Sequence, residues 1–162
     1  MRMSVSRLPP GEPYARGLVT HNPFAEKADV RAVVVAVLDL TFLHRDLALD
    51  PYRSRAVVGG GVYEMVVTDE PACAPGRVVQ RAAYLGFVRV SAGGVVAVGD
   101  ACYLDGAHIG NVVGFNSDHE PNHFNIVLGS PALASGARRG LSVGDRVVFR
   151  MEPVPMGALP PA

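Results

Sequence analysis

Short runs of valine, cut every few residues by glycine or proline, constrain this chain more than any other feature. Val33-Val34-Val35 is one such run, and Gly59-Gly60-Gly61 is one of the interruptions. β-Branched side chains fit the pleated surface of a strand. The 18 glycines and 13 prolines supply tight turns and would break helices repeatedly. A helical bundle needs long Leu, Ala, Glu and Lys stretches at helical spacing, and none is present. The expectation is an all-β fold.

The pattern resolves into a series of strands. Residues 31–40 are apolar on both faces, which suits a central strand. Residues 41–55 are polar and broken by Pro51, and read as a loop with at most one helical turn. Strands follow at 62–68, 86–90 and 95–104, with 78–85 open to either a short helix or a strand. Ser91-Ala92-Gly93-Gly94 predicts a hairpin joining 86–90 to 95–104. Asp105-Gly106 is a second tight turn, leading into a strand at 108–115. Further strands are expected at 122–128 and 146–151, separated by a Gly, Ser and Ala-rich connection.

About seven short, mostly antiparallel strands predict a small β-barrel, closed or partly open. Gly99, Gly110 and Gly114 would provide bends for closure. A single domain over residues 29–152 is expected, with an irregular arm at 1–28 and a proline-rich tail at 153–162.

Charge excludes some partners. The 15 basic and 15 acidic residues cancel, so no net field attracts nucleic acid or an anionic membrane. One lysine, Lys27, stands against fourteen arginines, and with abundant Ala, Gly and Val this suggests a bacterial genome rich in G and C. No apolar run reaches the roughly 20 residues of a helical membrane span, and no secretory pattern opens the chain. A cytoplasmic protein with Cys73 and Cys102 as reduced thiols is expected. Valine-rich strands without net charge further predict a homodimer.

Chemistry concentrates in residues 116–125, which hold two histidines, two acids and three amides and run straight into an apolar strand. In an extended chain His123, Asn125 and Val127 share one face, while Phe124, Ile126 and Leu128 share the other. His123 is therefore a candidate general acid or base, with Asp118 and His119 beside it and Asn122 and Asn125 positioned to hold substrate. Glu64 lies on a strand face with Val62 and Val66, where burial would raise its pKa. The competing reading of the first segment is a polar turn with idle histidines, and of Glu64 an ion pair with Arg53, Arg55 or Arg89.

A second polar cluster runs from His44-Arg45-Asp46 to Tyr52-Arg53-Ser54-Arg55. Guanidinium groups there could take a carboxylate or phosphate, with His44, Arg53 and Arg55 as candidate substrate contacts. The alternative is a solvated loop with local Arg–Asp pairs. A divalent zinc or iron ion is a further possibility if His119 and His123 gain a third ligand from His108, Cys102, Glu64 or Asp118, although their spacing matches no helix-borne motif. The leading expectation needs no cofactor. It is a small enzyme performing non-redox acid–base chemistry, of cyclase, isomerase or lyase type, on a small organic metabolite. The alternatives are a metal-dependent enzyme and a non-catalytic ligand-binding or assembly module.

Overall fold

The computed structural model describes residues 13, 14, 16–19 and 21–152. Its elements are β1 (Val30–Phe42), β2 (Leu47–Ala48), β3 (Ser54–Val57), β4 (Val62–Thr68), β5 (Val78–Val79), β6 (Ala82–Ala92), β7 (Gly94–Ala97), β8 (Ala101–Leu104), β9 (Ala107–Asn116), β10 (Asn125–Gly129) and β11 (Arg146–Arg150). No helix occurs among the described residues. Seven strands close a barrel in the order β1-β11-β8-β9-β10-β4-β6, and β6 pairs back onto β1. Six of its seven junctions are antiparallel, and β10 with β4 is parallel. The all-β barrel expected from the valine pattern is the fold.

Alternation of side chains fills the barrel. Tyr63, Met65 and Val67 of β4, Ile126 and Leu128 of β10, and Val147 and Phe149 of β11 point inward with Val30, Ala32 and Val34 of β1. The opposite faces of β4, β6 and β10 are also apolar over part of their length. Val66, Tyr84 and Val127 form a second cluster outside the barrel, covered by Leu47, Leu49 and Val79. The small β2–β5 sheet is thus a roof over one sector of the barrel wall. Gly114 makes the roof fit, since a Cβ there would lie 3.0 Å from Leu49 Cδ1.

The segment before β1 is latched down by Lys27. Its ammonium donates to Asp100 Oδ2 at 2.7 Å and to the Val95 carbonyl at 3.0 Å, and both charged side chains are almost wholly buried. The arm and tail expected at the chain ends fall largely on residues 1–12, 15, 20 and 153–162, outside the described residues. No helix among the described residues is long and apolar enough to cross a membrane.

Four local expectations change. The hairpin through Ser91-Ala92-Gly93-Gly94 does not form, because β6 has both edges occupied by β1 and β4, and β7 pairs with β3 instead. Gly93 permits that departure, since a Cβ there would meet the Val57 carbonyl oxygen at 2.7 Å. Residues 41–55 contain β2 and β3 rather than only loop. The strand expected from residue 122 begins at Asn125, and Gly99 sits in the β7–β8 turn with φ +96° rather than within a strand. The Asp105-Gly106 turn is as expected, with both residues at positive φ between paired strands β8 and β9.

Candidate functional site

Strand register assembles a polar row on the outside of the barrel. Glu64 on β4 lies opposite Phe87 on β6 and opposite Asn125 on β10, and Asn125 lies opposite Asn116 on β9. Directly opposed residues share a face, so four strands contribute one side chain each to a continuous line. The next row toward the roof, Tyr84, Val66, Val127 and Gly114, is apolar and covered. The polar row therefore marks the boundary where the covered wall gives way to an open groove.

That groove has a volume of about 520 Å³ and is lined by Leu38, Leu40, Phe42, His44, Arg45, Glu64, Tyr84 and His119. Its apolar wall comes from alternate residues of β1, which share one strand face. The β9–β10 loop brings His123 to its inner margin. His123 Nε2 lies 3.8 Å from Glu64 Oε1, and their side chains are only 11% and 9% exposed. The imidazole meets the edge of Phe87 at a centroid distance of 5.1 Å and stacks against His119 at 5.1 Å. His123 Nε2 and Asn125 Oδ1 are buried without a hydrogen-bond partner.

Electrostatics reinforce this geometry. Burial raises the Glu64 pKa above the usual carboxylate range, against the opposing pull of His119 and Arg45. Burial lowers the His123 pKa, and the neighbouring His119 lowers it further, against the pull of Glu120. An ion pair would move each pKa in the opposite direction. Desolvation is the largest cause at both groups, and it moves each toward its neutral form.

A separate, satisfied network holds the loop that carries the histidines. Arg55 donates to Ser117 Oγ at 2.9 Å and to Glu120 Oε1 at 2.7 Å, and its guanidinium lies 4.1 Å over the Phe124 ring. Ser117 Oγ donates in turn to Asp50 Oδ2 at 2.5 Å. Asn116 Nδ2 donates to the Ala48 carbonyl at 2.7 Å, tying the polar row to the roof.

The structure thus brings together His123, His119, Glu64 and Asn125, and sets His44 on the groove wall. Asp118 and Asn122 are exposed, their backbone N–H groups donating to Asn116 Oδ1 and the His119 carbonyl, and the carboxylate facing His123 is Glu64. Arg55, on β3, is engaged by Ser117 and Glu120 of the β9–β10 loop, and Arg53 accepts a hydrogen bond from Val98 N through its carbonyl. Glu64 forms no ion pair with Arg53, Arg55 or Arg89; the partner within reach is His123. Of the further metal candidates, Cys102 is enclosed in the barrel core and His108 is hydrogen-bonded to Asn111. No group of three His, Cys, Asp or Glu side chains placed to hold a metal ion occurs among the described residues. The rings of His119 and His123 stack nearly parallel, 24° apart.

The sequence places Arg45 in the second polar cluster, whose guanidinium groups suit a carboxylate or phosphate, but does not single out Tyr84, Phe87 or the apolar wall. Leu38 and Leu40 fall on one face of the strand expected at 31–40, whereas Phe42 lies in the segment read as a loop. The positions of Tyr84 and Phe87 depend on pairing between distant strands.

Residues 24–150 match the family described as "Family of unknown function (DUF6917)", and the chain belongs to that family. No curated protein and no solved structure matches it.

Proposed function

We propose that this member of a family of unknown function is a proton-transfer enzyme, acting on a small organic metabolite held in the outer groove. The observation that carries the reading is the facing pair of nearly buried groups, Glu64 and His123, 3.8 Å apart. A neutral imidazole is a base and a neutral carboxyl is an acid, and both forms are favoured by burial at this site. Polar groups buried without partners are costly to a fold, by about 1–3 kcal/mol each. Retaining two of them beside the groove, His123 Nε2 and Asn125 Oδ1, fits a site that completes its hydrogen bonds with substrate.

Isomerisation is the reaction class that this pair supports best. His123 removes a proton from a carbon beside a carbonyl, and the bonding electrons move into the conjugated system. Glu64 delivers its own proton to the atom that receives that electron density. The substrate has then exchanged one proton for another, leaving imidazolium facing carboxylate. Transfer between these two facing groups restores both starting forms, so no oxidant or co-reactant is consumed. Cyclisation or elimination through the same acid and base would differ only in where the displaced electron pair goes.

The test is hydrogen–deuterium exchange at carbon. Small enolisable carbonyl compounds are incubated with protein in D₂O and followed by proton NMR. Exchange should be lost by about 100-fold or more in Glu64→Gln and in His123→Gln. A wild-type protein that binds panel members in the groove yet exchanges none of them would contradict the reading.

A further inference from the structure

The groove carries a cation, Arg45, that forms no salt bridge among the described residues. Arg45 Nε donates to Tyr84 Oη at 2.6 Å, and its Cζ lies 6.0 Å from the Phe42 ring centroid. The Tyr84 bond fixes the guanidinium while leaving both terminal nitrogens without a carboxylate. Arg45 forms no ion pair among the described residues. Its sequence neighbour Asp46 is turned to Gln80, accepting from Nε2 at 2.6 Å. His44 and His119 add further donors to the same lining, against one acid, Glu64.

From this arrangement we infer that the groove selects a small amphipathic carboxylate. Its acid group would lie on Arg45 and its apolar body against Leu38, Leu40 and Phe42. A planar guanidinium matches a carboxylate through two parallel hydrogen bonds, which ammonium cannot do. The wall opposite is apolar and exposed, with Leu40 at 44% and Phe42 at 38%, so an apolar ligand body would remove it from water. The inference rests on the proton-transfer reading and names the substrate class for that site.

Two probes differing only in charge test it, 3-phenylpropionate and its neutral amide, with binding followed by calorimetry and amide chemical shifts. The wild-type protein should bind the acid at least tenfold more tightly than the amide and show shifts along residues 38–45. Arg45→Gln should remove that preference, while Arg45→Lys should recover only part of it. Tyr84→Phe should weaken the preference by releasing the guanidinium. Equal affinity of the wild-type protein for acid and amide, or binding of neither, would overturn the inference without reference to any variant. Glu64→Gln separates the two claims. Acid preference retained with no carbon exchange in any protein refutes proton transfer alone, and exchange present without acid preference refutes the carboxylate alone.

Discussion

Strands β4 and β10 present two faces built from alternate residues of the same few turns of chain, and the two faces obey different rules. Inward, Met65, Val67, Ile126 and Leu128 pack with Phe115 and Phe149 in an apolar interior. Outward, Glu64 and Asn125 stand side by side, with His123 at their margin and two polar atoms lacking partners. Both faces are buried, so burial alone does not distinguish core from site. The difference is whether burial leaves every group satisfied. The interior gains stability from each residue it covers, and the outer row gives some up.

Truncating the interior should therefore have the largest effect on folding. Phe149→Ala removes a wholly buried ring from the barrel and should lower stability by about 3–5 kcal/mol in urea denaturation. Glu64→Gln should do the reverse on the outer face. Carbon exchange falls by about 100-fold or more, while stability at pH 8 rises relative to the wild type. The sign follows from linkage. A carboxyl whose folded pKa is raised binds protons more tightly when folded, so its contribution is greatest below the ordinary range near 4.5 and is lost as pH climbs through the folded value. His123 works in the other direction. Its lowered folded pKa means stability is lost as pH falls below about 6.5, the ordinary value, and this loss should vanish in His123→Gln. Thermal melts from pH 4 to pH 8 check both slopes.

Two smaller substitutions sharpen the contrast within the outer face. Ser117→Ala removes the donor to buried Asp50 and a contact of Arg55, and should lower stability by about 1–3 kcal/mol. Asn125→Leu replaces a buried amide whose Oδ1 has no partner, and should raise stability by about 1 kcal/mol while slowing carbon exchange. If Asn125→Leu instead destabilises as strongly as Ser117→Ala, the outer row is structural and the distinction between the faces fails.

The sequence disclosed much of the barrel because local chemistry decides it. Valine runs mark strands, the expected strand at 62–68 is β4 to the residue, and Asp105-Gly106 adopts the turn its composition favours. Alternation also placed Glu64 with Val66 on one face of β4, whereas His123 precedes β10, which begins at Asn125. Pairing between distant segments was not legible. Parallel contact between β4 and β10 joins strands some sixty residues apart, and it alone sets Glu64 beside Asn125. The apparent hairpin after β6 fails for the same kind of reason, since both edges of that strand are claimed from elsewhere. Asp118, adjacent in sequence to the histidines, looked like their acid. Register supplies Glu64 instead.

The central claim is that burial shifts Glu64 and His123 each toward its neutral form, acid and base. Carbon-13 and nitrogen-15 NMR titration of their side chains in the wild-type protein measures this directly, with Glu64→Gln and His123→Gln for assignment. Glu64 should titrate above the ordinary carboxylate range and His123 below the ordinary imidazole value. A lowered Glu64 together with a raised His123 would show a charged ion pair and contradict the account.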